Sequence, residues 1–338
     1  MSVKVHVAVD AMGGDNAPLE IVKGAVSALT DKPQLEITLT GREGDIKKAL
    51  DGLSYPKERL HILHCEEVIE MAEPPVEAIR SKKDSSIVQG LKLVKSGEAD
   101  AFVTAGSTGA ALAGGQLLVG RIRGIERPPL APILPTSKGP VLLVDCGANM
   151  DPRASMLVQF AQMGSIYMRN MTGISKPRVG LVNVGTEEEK GNALAKEAYA
   201  LLKECDSIHF VGNVEARDIP NGAVDVAVTD AFTGNAILKT YEGVASVLIH
   251  ELKDALMSGL ISKLGALMIK PALKDMLLKF DQSKYGGAPM LGLKGLVVKS
   301  HGNSKEAEIR NSIEQCIQFT EKDINGLFVE KMDLKPKG

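Results

Sequence analysis

"VAVDAMGGDNAP", residues 7–18, passes from apolar residues to an aspartate, two glycines, an Asp–Asn pair and a proline. A short apolar run that stops at a polar residue and turns on glycine reads as a buried strand feeding a loop and then a helix. The same grammar recurs along the chain. Strands are expected at Val3–Val9, Leu35–Thr40, Leu60–His64, Ala101–Thr104, Val141–Asp145, Arg178–Val184, Ser207–Val211, Val224–Thr229 and Gly295–Lys299. Helical periodicity falls between them, at Pro18–Leu29, Pro74–Lys95, Thr108–Arg121, Met156–Asn170, Asn192–Lys203 and Ser304–Thr320. The strand runs are almost continuously apolar, as strands covered on both faces are. The alternation predicts an α/β fold, three α/β/α layers around a mostly parallel sheet. No linker or repeat interrupts the pattern, so residues 1–325 are expected to form a single domain, with a charged tail over 326–338.

The loops leaving these strands share a composition: DAMGGDN, TAGSTGA, DCGANMD, NVGTEEEKGN, GNVEARD, TDAFTGN and KSHGNS. Glycine permits tight turns and close approach of backbone to a ligand. Asn, Asp, Ser and Thr cap helices or present side chains. In an open parallel sheet, ligands bind beyond the carboxyl ends of the strands. Seven such loops on one edge would make a large polar site. A glycine turn at a helix N-terminus presents N–H groups that suit phosphate. For the first loop taken alone, Asn16 or Asp15 as a plain helix cap explains the residues too.

Composition narrows the field. Net charge is −2, with 44% hydrophobic and 24% charged residues, so no global field draws nucleic acid or an anionic membrane. Tryptophan is absent and aromatics make up 4%, which disfavours stacking on bases. Cys65, Cys146, Cys205 and Cys316 are scattered, as reduced thiols of a cytoplasmic protein are, without disulfide or zinc spacing. No signal peptide is expected, and no uncharged apolar stretch reaches eighteen residues. The dinucleotide fingerprint, the P-loop, the H-E-x-x-H zinc motif and the G-x-S-x-G elbow are all missing. The expected chemistry needs no nucleotide, metal or other cofactor.

"AVDAMGGDNAP", "AGSTGA", "VGRIRGIERPPLAP", "VDCGANMD", "VGLVNVGTEEEKGN", "GNVEARD", "VTDAFTGN" and "YGGAPMLGLKG" follow one another in a consistent order. Together they resemble the bacterial phosphate acyltransferase family of phospholipid synthesis, whose members use acyl–acyl carrier protein. The resemblance runs from about residue 4 to residue 320. It implies attack of inorganic phosphate on the thioester of a long-chain acyl carrier protein, giving acyl phosphate and free carrier thiol. It also implies a homodimer and a fold similar to the isopropylmalate dehydrogenase and phosphate acetyltransferase group. The product would pass to a membrane glycerol-phosphate acyltransferase, which suits a cytoplasmic protein associated peripherally with the membrane.

Such a reaction needs an aimed phosphate and donors for the oxyanion. Lys190, in GTEEEKGN, is the first candidate for a catalytic cation. Its bland alternative is a surface pair with Glu187 or Glu188. Asn235, in DAFTGN, can donate an amide to the oxyanion; alternatively it caps a helix starting near Ala236. His301 can protonate the leaving thiolate or hold phosphate. Phosphate binding is assigned to Gly13, Gly14, Asp15, Asn16, Ser107, Thr108, Gly109, Asn149 and Thr186, with Asp15 awkward because a carboxylate repels phosphate. Cys146 reads as a packed thiol. Arg80, Lys82, Lys83, Arg121 and Arg123 are the basic residues that could meet an acidic carrier protein, or else a solvated face.

Residues 250–284 differ from the rest. Leu256, Leu260, Leu264 and Leu267 fall at helical spacing, Pro271 interrupts, and Met276 and Leu277 resume the pattern. This predicts an amphipathic helix–break–helix arm. Five lysines against two aspartates over 253–279 favour an anionic surface, while dimer packing is the plainer use. Other readings of the whole chain are an acyl-CoA-dependent phosphate acetyltransferase-like enzyme, a dehydrogenase of the isopropylmalate type, and a non-catalytic membrane scaffold.

Overall fold

A computed structural model describes residues 3–280, 282–332 and 334. In chain order its first elements are β1 (Val5–Asp10), α1 (Leu19–Asp31), β2 (Leu35–Gly41), α2 (Glu43–Leu50), β3 (Leu60–His64), α3 (Pro75–Ser81), α4 (Ser86–Ser96), β4 (Ala101–Thr104) and α5 (Thr108–Gly114). Then come β5 (Ile133–Thr136), β6 (Gly139–Val144), α6 (Ala154–Thr172), β7 (Arg178–Asn183), α7 (Ala193–Lys203), β8 (His209–Glu215), β9 (Val226–Val228), α8 (Ala231–Met257) and α9 (Leu260–Lys279). The chain closes with β10 (Ala288–Met290), β11 (Leu296–Lys299), α10 (Glu306–Glu321) and α11 (Ile324–Lys331).

The chain packs as two compact units where the sequence predicts one domain. Unit 1 holds Met1–Pro132, Gln162–Lys176 and Ser283–Gly338; unit 2 holds Ile133–Ala161 and Pro177–Gln282. Each has its own sheet. The order in unit 1 is β10-β11-β4-β1-β2-β3, and in unit 2 it is β5-β6-β9-β7-β8. Every pairing is parallel except β10 with β11 and β5 with β6. The α/β class with mostly parallel sheets therefore holds, but there are two sheets, because each strand set closes its own core. The seven loops divide accordingly. Those after β1, β4 and β11 belong to unit 1, and those after β6, β7, β8 and β9 to unit 2.

β1 illustrates why the strands read as apolar runs. Val7, Ala8, Val9 and Asp10 are all buried, so both faces of the strand are covered. β2 and β4 flank it, with Val7 opposite Ile37 on one side and Ala101 on the other. In unit 2, Leu134, Val141, Leu143, Cys146, Val214, Ile219, Val224 and Ala227 form one buried cluster.

Several boundaries differ from expectation. The segment 74–95 is two helices, because the Ser85 hydroxyl caps α4 by accepting the Val88 N–H at 3.4 Å. β8 runs on to Glu215, so most of the expected GNVEARD loop is strand. β5 and β10 are short and carry proline, as ILPT and APM, which hides them as strands. The tail expected from 326 is helical through Lys331, anchored by the buried Phe328; positions 333 and 335–338 lie outside the described residues.

The arm is α8 followed by α9, bent by 120° between them. The break is at Ser258–Gly259, not Pro271, which lies inside α9. Glycine leaves the helical region readily, whereas an exposed helix can hydrate the carbonyl that a proline orphans. Leu256 thus ends α8, while Leu260, Leu264, Leu267, Met276 and Leu277 lie on α9. Among the described residues no single helix is long and apolar enough to cross a membrane.

Candidate functional site

In unit 1 the turns after β1, β4 and β11 are knitted together. Asp10 is fully buried, and its carboxylate accepts the Thr104 hydroxyl at 2.7 Å and the Met12 N–H at 3.1 Å. Burial pushes its pKa up, against the hydrogen bonds from Thr104 and from the Met12 and Gly13 amides. Gly13 has no room for a side chain, since a Cβ would fall 2.3 Å from the Asp10 carboxylate and 2.6 Å from the Gly106 nitrogen. Gly14 takes φ +99°, open to glycine. The Asp15 N–H donates to the Gly302 carbonyl at 2.8 Å. The Asn16 amide donates to the carbonyls of Asn303 at 2.8 Å and Ser304 at 3.2 Å. Neither residue caps α1, which follows Pro18 with no side-chain cap.

Ser107 is buried and caps α5 by accepting the Ala110 N–H at 3.3 Å. Thr108 is exposed, and Gly109 lies under Pro75, where a Cβ would meet the ring at 2.4 Å. His301 is exposed, with Nδ1 accepting the Asn303 N–H at 3.4 Å. At the end of β11, Lys299 is buried, and its ammonium donates to the carbonyls of Ala105 at 3.2 Å and of Ser300. Burial pulls its pKa down to about 8, against the charges of Asp10 and Asp15.

Unit 2 carries a second buried aspartate. Asp145 accepts the N–H groups of Gly147 at 3.2 Å, Ala148 at 3.1 Å and Asn149 at 2.8 Å, and the Asn149 amide at 2.7 Å. Asn149 is therefore engaged in shaping its own turn. The Asn149 carbonyl accepts the Ala231 N–H at 3.0 Å, which docks the start of α8 on this turn. Gly234 makes the docking close, since a Cβ there would sit 1.8 Å from the Asp145 carbonyl oxygen.

The cap of α8 is Asp230, which accepts the Thr233 N–H at 2.8 Å and hydroxyl at 2.7 Å. Asn235 is thus inside the helix and not its cap. It is half-buried, and its side-chain amide makes no hydrogen bond among the described residues. Phe232 lies three residues before it, on the same helical face, and is 74% exposed. In the β7–α7 loop, Asn183 holds the Lys190 carbonyl at 3.0 Å and Asn213 holds the Glu187 carbonyl at 2.8 Å. The side chains of Thr186 and Lys190 stay exposed. Among the described residues the ion pair here is Glu188 with Lys203 at 2.9 Å, so the alternative reading of Lys190, a surface pair with Glu187 or Glu188, is not what forms. Cys146 is buried in the core, and burial pushes its thiol well up, which leaves no reactive thiolate.

Among the basic candidates, Arg80, Lys83, Arg121 and Arg123 are exposed. Lys82 is committed internally, to Glu73 at 2.6 Å and the Val68 carbonyl at 2.8 Å. Arg80 lines an open groove of about 670 Å³ along α3, with Pro74, Pro75, Val76, Glu77 and Ser81. On the arm, Leu260, Leu264 and Leu267 are 88%, 63% and 66% exposed, and α9 buries no residue. Among the described residues no three His, Cys, Asp or Glu side chains gather to hold a metal ion.

Sequence reasoning assigns no role to Asp10, Thr104, Lys299, Asp145, Asp230 or Gly234. For the two buried aspartates a signal existed: each is a carboxylate closing an apolar strand, where desolvation demands donors.

Comparison with known proteins shows the family of the chain. A family model described as "Fatty acid synthesis protein" matches residues 5–326. A phosphate acyltransferase of Clostridium perfringens is 47% identical over 331 residues, 98% of each chain. One from Clostridium botulinum is 51% identical over 310 residues, 92% of each chain. Among solved structures, a phosphotransacetylase from Streptococcus pyogenes aligns with TM-score 0.60 at 18% identity, covering 96% of this chain and 94% of its own. The EutD phosphotransacetylase from Staphylococcus aureus gives TM-score 0.58 at 15% identity, covering 95% and 94%. These two speak for the fold alone. The matched residues and the curated relatives place the chain in one family: it belongs to the fatty acid synthesis protein family of the phosphate acyltransferases.

Proposed function

We propose that the chain transfers a long acyl group from acyl carrier protein to inorganic phosphate, making acyl phosphate for phospholipid synthesis. A phosphate oxygen bonds to the thioester carbonyl carbon, and the carbonyl electron pair moves onto oxygen. The pair returns as the C–S bond breaks, and the carrier leaves as thiolate and takes a proton. Lys190 holds phosphate or the oxyanion, Asn235 donates its amide to the oxyanion, and His301 supplies the thiolate's proton. In unit 1, Gly13, Gly14, Ser107, Thr108, Gly109 and the main chain of Asn16 bind phosphate. Asp15 and Asn149 support turns.

The observation that carries this reading is in unit 2. The free amide of Asn235 and the exposed ammonium of Lys190 follow the neighbouring strands β9 and β7. Around them the same turns leave Met150, Phe232 and Val184 at 52%, 74% and 80% exposure. Met150 and Phe232 directly follow the bonded pair Asn149 and Ala231. Apolar side chains beside an oxyanion donor suit an acyl chain, which buries them on binding. Arg80, Lys83, Arg121 and Arg123 steer the acidic carrier. The exposed apolar side chains and five lysines of the arm serve a homodimer contact and the membrane surface where the downstream acyltransferase takes the product. The protein is cytoplasmic and peripherally membrane-associated.

The test mixes purified protein with palmitoyl–acyl carrier protein and phosphate, then follows carrier thiol and hydroxylamine-trappable acyl phosphate. Phosphate-dependent release is expected. Release that ignores phosphate means a thioesterase and ends the reading; turnover of acyl-CoA alone moves it to the acetyltransferase type. Phe232→Ala should raise KM for palmitoyl donors about tenfold, the worth of a lost aromatic contact, and leave butyryl donors almost unchanged.

A further inference from the structure

We propose that Lys299 is the positioning residue of the phosphate-binding turns in unit 1, its ammonium clamping the carbonyls of Ala105 and Ser300 and so setting the affinity for phosphate. The inference rests on the phosphate reading given above.

Lys299 occupies the last place of β11, after Leu296, Val297 and Val298, all buried. A lysine there is 8% exposed, and desolvating an ammonium costs several kcal/mol unless its donors are met. They are met by main chain. One donor reaches the Ala105 carbonyl at 3.2 Å and another the Ser300 carbonyl. Ala105 precedes Gly106, which presses on Gly13. Ser300 precedes His301 and Gly302, and the Gly302 carbonyl takes the Asp15 N–H at 2.8 Å. One cation therefore ties the turn after β4 to the turn after β11, and each of these touches the turn after β1.

Charge gives the clamp a second effect. Asp10 on β1 and Asp15 in the following loop are the charges that act on Lys299. Its strand neighbours β4 and β10 carry no titratable side chain. Of the helices packed on β11, α5 carries none either, and α10 buries only the thiol of Cys316, which burial keeps protonated. Without the ammonium, the charges of Asp10 and Asp15 and two inward carbonyls would be left uncompensated near an incoming anion. With it, one negative charge is offset and both carbonyls are occupied. Lys299 needs no contact with phosphate to do this.

The experiment measures kcat and both KM values for wild type, Lys299→Met and Lys299→Arg from pH 7 to 9.5. Lys299→Met should raise KM for phosphate about tenfold or more, the scale of losing a charge-assisted bond, with KM for the acyl donor unchanged. In wild type, KM for phosphate should climb above pH about 8 as the ammonium loses its proton. That climb should vanish in Lys299→Met, and in Lys299→Arg, whose guanidinium stays charged. Equal shifts of both KM values, an unchanged KM for phosphate, or a climb that persists in the variants overturns the role. If Lys299→Met does not fold, the wild-type and Lys299→Arg profiles decide alone: a shared climb refutes it. A wild-type protein that forms no acyl phosphate refutes the reaction instead.

Discussion

The turn after β1 and the turn after β6 begin alike, with a fully buried aspartate, a glycine, small residues and an asparagine before a helix. They are held differently. Among the partners of Asp145 are the N–H groups of Gly147, Ala148 and Asn149, within four residues of itself. Asp10 also takes a local N–H, from Met12, but adds the hydroxyl of Thr104, 94 residues away, and lies in the field of Lys299. Local main-chain donors shape the turn in unit 2. The turn in unit 1 depends on β4 and β11 being docked, so its order carries the entropy of closing long loops. A self-organised turn suits side chains that need fixed aim; a turn assembled from distant strands suits a backbone cradle that reports on its neighbours.

The largest effect expected lies on the self-organised side. Lys190→Ala and Asn235→Ala should each lower kcat about 10²–10³-fold, the range for one oxyanion donor, without moving Tm. A matching fall in Tm would show that these residues hold the turn and do not act on substrate. Next comes Gly234→Ala, whose Cβ must displace α8 from the Asp145 carbonyl, 1.8 Å away. A shift on the order of 1 Å at Asn235 should cost roughly 10²-fold in rate and about 1–3 kcal/mol in urea unfolding; wild-type behaviour would mean that α8 is not seated by this contact. Thr104→Val should cost about 1–2 kcal/mol by orphaning a lone pair of Asp10. Hydrogen exchange should then quicken at residues 11–16 and stay unchanged at 147–149. Equal quickening in both turns would erase the distinction drawn between them.

The last effect has an unusual sign. The pKa of Lys299 is about 8 in the folded protein against the ordinary 10.5. Between these values the unfolded chain holds the extra proton, so this residue makes folding stability rise with pH. Urea unfolding at pH 8 and pH 10.5 should show that increment in wild type, and Lys299→Met should lack it. A parallel profile in the variant would mean that another group is responsible.

Strand-to-helix order was legible because buried parallel strands leave apolar runs in the sequence. Lys190 stood out by lying in a polar turn at a strand end, and Asn235 by ending the polar run TDAFTGN, which runs into the first turn of α8. What hid was whatever depended on distance along the chain. Nothing near Lys299 in sequence says that it would be buried against Ala105, and the run VVKSH looks like a strand emerging into solvent. The division into two sheets was hidden too, since local periodicity does not say which strands share hydrogen bonds. Asn235 as a cap was a local misreading: Asp230, five residues earlier, had the stronger capping side chain. Placing the break of the arm at Pro271 failed for a related reason, because Gly259 interrupts the helix first.

α8 has a mechanical consequence. Its 27 residues make a rod about 40 Å long, with Asn235 near one end and the bend into α9 at the other. A rod passes rotation from end to end. Pivoting α8 by about 5° at its middle would carry each end roughly 2 Å, more than the ångström-scale tolerance of a reacting geometry. Whatever grips α9 therefore holds one end of a lever whose other end bears the amide of Asn235.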